Sequence, residues 1–112
     1  MTKFHEIKEG VFVFHCPGCN EIHIVDSRWT FNENVNTPTI SPSLLVRYRH
    51  PKGHSNKNPA PLGYSGEYVE EVCHSFIKDG AIQFLPDCTH KMAGTTVDIP
   101  DFETLHPDWK DL

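Results

Sequence analysis

The apolar positions of this chain recur every second residue over short stretches, the period of a half-buried strand rather than of a helix. Residues 11–15 (Val-Phe-Val-Phe-His) are β-branched and aromatic and predict one strand; residues 21–25 (Glu-Ile-His-Ile-Val) predict a second, so the intervening turn closes a hairpin. Residues 28–31 alternate again, and Asn32-Glu33-Asn34 forms a turn. In Thr37-Pro38-Thr39-Ile40-Ser41-Pro42-Ser43 each proline pushes its predecessor out of helical space, so the segment is extended. A strand follows at 43–49. Asp79-Gly80 is the strongest hairpin signal in the chain, because a two-residue type I′ turn needs positive φ at both central positions. It pairs residues 68–77 with 81–85, setting Ile77 opposite Ile82, Phe76 opposite Gln83 and His74 opposite Leu85. Pro86 ends that strand, 95–99 is a last short one, and Asp101 can cap a helical turn at 102–105 that Pro107 closes. Residues 50–66 are rich in Pro, Gly, Asn, Lys and Ser and predict a long mobile loop whose Lys52, His54 and Lys57 are solvated. The expected fold is mostly β: one small antiparallel β-sheet domain over 1–112, built of hairpins with little helix.

Composition narrows the class. At 112 residues the chain fits one domain. Lys and Arg number 10 against 15 Asp and Glu, a formal charge of −5 with both signs mixed along the chain. The basic stripe of a nucleic-acid binder is missing. A strip of Trp29, Phe31 and Tyr48 with Arg28, Arg47 and Arg49 would suit base stacking, but these aromatics serve better as core. No apolar run reaches membrane-span length, and Met1-Thr2-Lys3-Phe4-His5 lacks the layout of a signal peptide. The expected compartment is a reducing cytoplasm.

That expectation decides how the four cysteines are read. Two stand in C-x-x-C spacing, Cys16-Pro17-Gly18-Cys19, and in a reducing compartment metal is the better reading than disulfides. A tight turn of this kind offers two thiolates to one tetrahedral Zn2+. A redox dithiol would sit at the start of a helix, whereas a strand follows here. A second Cys/His group lies far along the chain, Cys73-His74 and Cys88-Thr89-His90, and the Asp79-Gly80 hairpin gathers it at one end of a ribbon. Alternation places Cys73, Ser75 and Ile77 on one face and His74 and Phe76 on the other. Cys73 with Cys88 would complete an all-cysteine site; His74 with Cys88 would make a site of three cysteines and one histidine. His90 and His23 are further candidates, while His5, His15, His50, His54 and His106 are read as non-functional.

The ordered motifs Cys16-Pro17-Gly18-Cys19 with His23, Trp29 to Asn32, Pro38 to Ser43, Cys73 to Gly80, Ile82 to Leu85, Asp87 to His90 and Ala93-Gly94 resemble a family of short proteins encoded mostly in phages and prophages, classed as a domain of unknown function. The resemblance covers most of residues 11–100 outside the loop and carries no settled activity. A wider branch shifts its cysteines but keeps the histidine matching His74, which implies the ligand set Cys16, Cys19, His74 and Cys88, with Cys73 and His90 as alternates. Members of that branch occur beside ubiquitin-like conjugation genes. An ammonia monooxygenase label sometimes given to the family does not suit a chain with no transmembrane segment and no copper–oxygen site.

The sequence therefore favours a zinc-stabilised phage or prophage accessory protein that acts by binding a host or phage protein, with no catalytic residue assigned. A closed cysteine-rich site contributes folding energy rather than chemistry. The alternative is a small zinc- or cysteine-dependent hydrolase, with Asp87, His90, His23 or Glu21 as acid or base and Cys73 as a nucleophile beside His90; no recognised catalytic spacing supports it. A zinc-ribbon nucleic-acid binder comes third. Exposed sheet edges leave a homodimer open. Ser41-Pro42-Ser43 has no role in any of these beyond a rigid strand entry or the lining of a groove.

Overall fold

Two tight hairpins organise the chain into two antiparallel sheets. The computed structural model describes residues 2–54 and 58–109. The first sheet has the order β1-β2-β3, with β1 at His5–Lys8, β2 at Val11–Cys16 and β3 at Glu21–Val25. The second has the order β4-β5-β6-β7-β8, with β4 at Thr30–Phe31, β5 at Ile40–Pro51, β6 at Tyr68–Lys78, β7 at Ala81–Phe84 and β8 at Thr96–Asp98. A single helical turn, α1 at Phe102–Leu105, follows with Asp101 as its N-cap, accepting from the Thr104 amide. No helix among the described residues is long and apolar enough to cross a membrane.

The mostly β expectation holds, and the Asp79-Gly80 turn sets its register. Both residues have positive φ, 51° and 81°, as a type I′ turn requires. Ile77 then faces Ile82 and Phe76 faces Gln83. The turn packs back on the Pro-rich segment: the Gly80 amide donates to the Pro38 carbonyl and the Asp79 amide to Thr39 Oγ1. A side chain at Gly80 would meet Lys3 Nζ at 2.9 Å and the Thr37 backbone at 3.3 Å, so this glycine is needed for space as well as for φ.

Three features differ from the sequence reading. The strand β1 had no signal, because Glu6 and Lys8 interrupt its apolar pattern; pairing with β2 forms it. Strand β5 runs 12 residues to Pro51, past the expected end at 49, because β6 pairs with it as far as Pro51 opposite Tyr68. The expected loop is correspondingly pinned at its base, where the Lys52 amide donates to the Glu67 carbonyl, and Lys52 is ion-paired with Glu67 at 3.3 Å. Lys57 lies outside the described residues.

The two sheets share a core of Phe4, Phe14, Val25, Ile40, Leu44, Ile77, Ile82, Phe84 and Ile99. Phe4 stacks on Phe14 and Phe31, joining the first sheet to the second. Strand alternation gives β6 two distinct faces. Cys73, Ser75 and Ile77 are buried on the inner face, while His74 is half-buried and Phe76 exposed on the outer one.

Candidate active site and metal centre

The inward face of β6 carries a thiol cluster. The hairpin of β2 and β3 pairs Cys16 with Glu21, and the Asn20 amide closes its turn on the Cys16 carbonyl. Side-chain donor atoms of Cys16, Cys19, His23 and Cys73 all lie within 4.8 Å of one another. Cys16 and Cys73 are fully buried, their sulfurs 3.8 Å apart. His23 is 6 % exposed, and its Nε2 is buried with no hydrogen-bond partner. The crowded sulfurs compete for protons. Hydrogen bonds from Cys19 first and Cys73 second hold the Cys16 thiol far below its ordinary range. The bond to Cys16 in turn pushes Cys19 up to about 12 and Cys73 well above a normal thiol. A cation is the natural relief for such a set, since it displaces the protons that the sulfurs cannot all lose unaided.

A second grouping, Cys73, Cys88 and His90, meets the same distance limit and shares Cys73 with the first. The His90 ring lies under the knuckle turn, where a Cβ on Gly18 would come within 2.4 Å of it.

The outward face of β6 carries different chemistry. His74 Nε2 lies 3.0 Å from Ser43 Oγ, and its Nδ1 lies 3.1 Å from Asp87 Oδ2. A carboxylate only accepts, so Nδ1 carries the ring proton and the Nε2 lone pair faces the serine hydroxyl. Serine, imidazole and carboxylate thus form one directed chain, the constellation that activates a hydroxyl for attack on an acyl carbon.

Each member is placed by local structure. Ser43 sits where the β5–β6 register shifts between Ile40 and Leu44; such irregularities re-aim side chains. Trp29 Nε1 donates to the Ser43 carbonyl at 3.2 Å and holds that backbone. His74 stands opposite Leu45 in the middle of the sheet. Asp87 occupies the third position of the turn from Leu85 to Cys88, closed by the Cys88 amide on the Leu85 carbonyl at 3.1 Å, with Pro86 at its favoured second position. Leu45 and Phe76, 45 % and 46 % exposed, lie on the same face beside the histidine.

This geometry differs from the ligand set implied by the resemblance. Cys16 and Cys19 fall in the cluster with Cys73 and His23, whereas His74 is in neither grouping. The reason is strand alternation: Cys73 and His74 are neighbours in sequence and point to opposite faces. Cys88 groups with Cys73 and His90 but not with the knuckle, and its sulfur bonds the backbone of His74. Ser43 was missed as a functional residue; its segment was read only as a rigid strand entry or the lining of a groove. Its partners are 31 and 44 residues away, too far for any local motif, and only the register of β5 against β6 brings it to His74.

A family model described as Bacterial ubiquitination-like system serine protease (BubE) matches residues 2–85. No curated protein and no solved structure matches the chain. The matched span includes Ser43 and His74 and ends two residues before Asp87. The match overturns the expectation of a non-enzymatic protein that acts by binding alone, since the family is described by a hydrolytic activity.

Proposed function

The chain belongs to the bacterial ubiquitination-like system serine protease (BubE) family, and from that premise we propose that Ser43, His74 and Asp87 are the nucleophile, general base and orienting carboxylate of a serine protease. The observation that carries the assignment is the unbroken chain from Ser43 Oγ through His74 to Asp87, with contacts of 3.0 and 3.1 Å. The substrate is a peptide bond in a component of a bacterial ubiquitination-like system.

The reaction follows from the hydrogen-bond directions. His74 Nε2 takes the Ser43 hydroxyl proton as Oγ attacks the scissile carbonyl carbon, and Asp87 stabilises the resulting imidazolium. The tetrahedral adduct collapses as His74 returns that proton to the leaving amine, leaving an acyl ester on Ser43. Water, deprotonated by His74, then attacks the ester; the proton goes back to Ser43 Oγ and the acid product departs. Leu45 and Phe76 offer apolar surface to an extended segment crossing Ser43.

The inward cluster serves the fold. Cys16, Cys19, His23 and Cys73 suit a zinc ion by donor type and number, and the buried, unpartnered Nε2 of His23 is what such a site would leave when its ion is removed. Four protein donors leave no open position, so the ion would contribute folding energy rather than an activated water.

Hydrolysis of a small activated ester by the purified chain tests the nucleophile. Wild type is expected to turn over and Ser43→Ala to lose nearly all of that activity. Equal rates for the two proteins would defeat the assignment.

A further inference from the structure

The buried Cys88 thiol has no part in the reaction above, yet it makes two contacts with the residue at the centre of it. Its Sγ lies 3.2 Å from the His74 amide, from which it accepts, and 3.2 Å from the His74 carbonyl, to which it donates. The reason lies in the end of β7. Past Phe84 that strand stops, and the chain turns at Pro86. The Leu85 amide still reaches the His74 carbonyl at 2.9 Å, but the Leu85 carbonyl, the ladder acceptor for the His74 amide, accepts from the Cys88 amide instead. Cys88 Sγ takes that place. Thr89 repeats the pattern one step along: Thr89 Oγ1 accepts from the Val72 amide at 3.0 Å, and the Thr89 amide donates to the Val72 carbonyl at 2.9 Å.

Both ends of the turn that carries Asp87 are therefore tied to the backbone of one residue, His74. Leu85 anchors one end and Cys88 the other, while the Asp87 carboxylate between them reaches the ring of that same histidine. Asp87 itself is more than half exposed, so little packing holds its side chain, and its position depends on the turn beneath.

We infer that Cys88 is a positioning residue for the triad, a thiol latch that fixes the Asp87 turn against His74 and so sets the carboxylate–imidazole contact. The inference rests on the protease reading. It gives the thiol a role as a proton donor to a carbonyl, which a metal-bound sulfur could not fill.

The test compares wild type, Cys88→Ser and Cys88→Ala in the full chain, by steady-state ester hydrolysis, by metal content and by the downfield proton resonance of the His74 Nδ1–H in 15N-histidine-labelled protein. Cys88→Ala is expected to lower kcat, by up to about 100-fold for a displacement on the order of an ångström, with KM within about twofold and metal content unchanged; the Nδ1–H resonance moves upfield or is lost to exchange. Cys88→Ser keeps a donor and an acceptor and is expected to restore both kcat and the resonance. Wild-type kcat in Cys88→Ala, a change confined to KM, or the loss of metal from either variant would overturn the latch. Should Cys88→Ala fail to fold, Cys88→Ser decides alone: near-wild-type kcat and resonance support the latch, and a folded serine variant lacking both refutes it. If wild-type Ser43 proves unreactive, the protease reading fails, and the resonance in the two variants still reports whether Cys88 holds Asp87 to His74.

Discussion

Cys73 and His74 are consecutive residues of one strand, and they serve opposite faces of the molecule. Cys73 points inward, fully buried, into a cluster with Cys16, Cys19 and His23. His74 points outward to Ser43 and Asp87. The inward face brings three thiols and one imidazole together, and it suits an ion that holds sheets together. The outward face has one directed proton path and open apolar ground beside it, and it suits a reaction on a passing chain. The two-residue period of a strand thus sets the thiol cluster and the serine–histidine–aspartate chain back to back on one strand.

If the faces divide the work in this way, damage to each should read out differently. The largest effect is expected on the inward face. Cys16→Ser, or removal of metal by a chelator, should unfold the chain, since structural zinc sites contribute on the order of 10 kcal/mol; circular dichroism with metal analysis reports this, and a folded, metal-free variant would break the comparison. Ser43→Ala on the outward face should lower kcat by about a millionfold, the order found when a triad serine is removed, while its melting temperature and metal content stay at wild-type values. Asp87→Asn should lower kcat by about 10^4-fold, again with the metal retained; loss of metal from this variant would show that the faces are not separate. The smallest effect lies off both faces. Asp101 accepts from the Thr104 and Thr2 amides, and Asp101→Ala should cost about 1 kcal/mol by chemical denaturation, with catalysis unchanged. Hydrogen bonds, that from the Thr104 hydroxyl first, hold the Asp101 carboxyl below its usual pKa. Its contribution is therefore present above the ordinary carboxylate range and is lost as pH falls through the lowered folded value, so the difference between Asp101→Ala and wild type should shrink in acid.

The sequence made the register of the second hairpin legible, because Asp79-Gly80 admits one turn type and that turn admits one register. It also made the faces of β6 legible. What it hid was which face gathers the thiols with His23 and which carries the contacts from Ser43 through His74 to Asp87. His74 next to Cys73, with a C-x-x-C far upstream, reads as ligand chemistry in one dimension. Only the pairing of β5 with β6 brings Ser43 to the imidazole, and the register shift before Leu44 cannot be derived from alternation. Asp87 was visible as an acid near a histidine, but the proline after β7 made its direction unreadable: the turn that carries it meets β6 through a mixture of backbone bonds from Leu85 and Thr89 and side-chain bonds of Cys88 and Thr89. His23 followed a similar course. Its alternation with Ile22 and Ile24 gave it a face, and only the packing of the two sheets gave that face its neighbours.

The central claim is that Ser43 is a nucleophile activated by His74. Treatment of the chain with a fluorophosphonate, followed by peptide mass spectrometry, tests it most directly, because the reagent reports a reactive serine without any knowledge of the natural substrate. The adduct is expected on Ser43 in wild type and is expected to vanish in His74→Ala while the metal content of that variant stays the same. A label on another serine, or undiminished labelling of Ser43 in His74→Ala, would contradict the account.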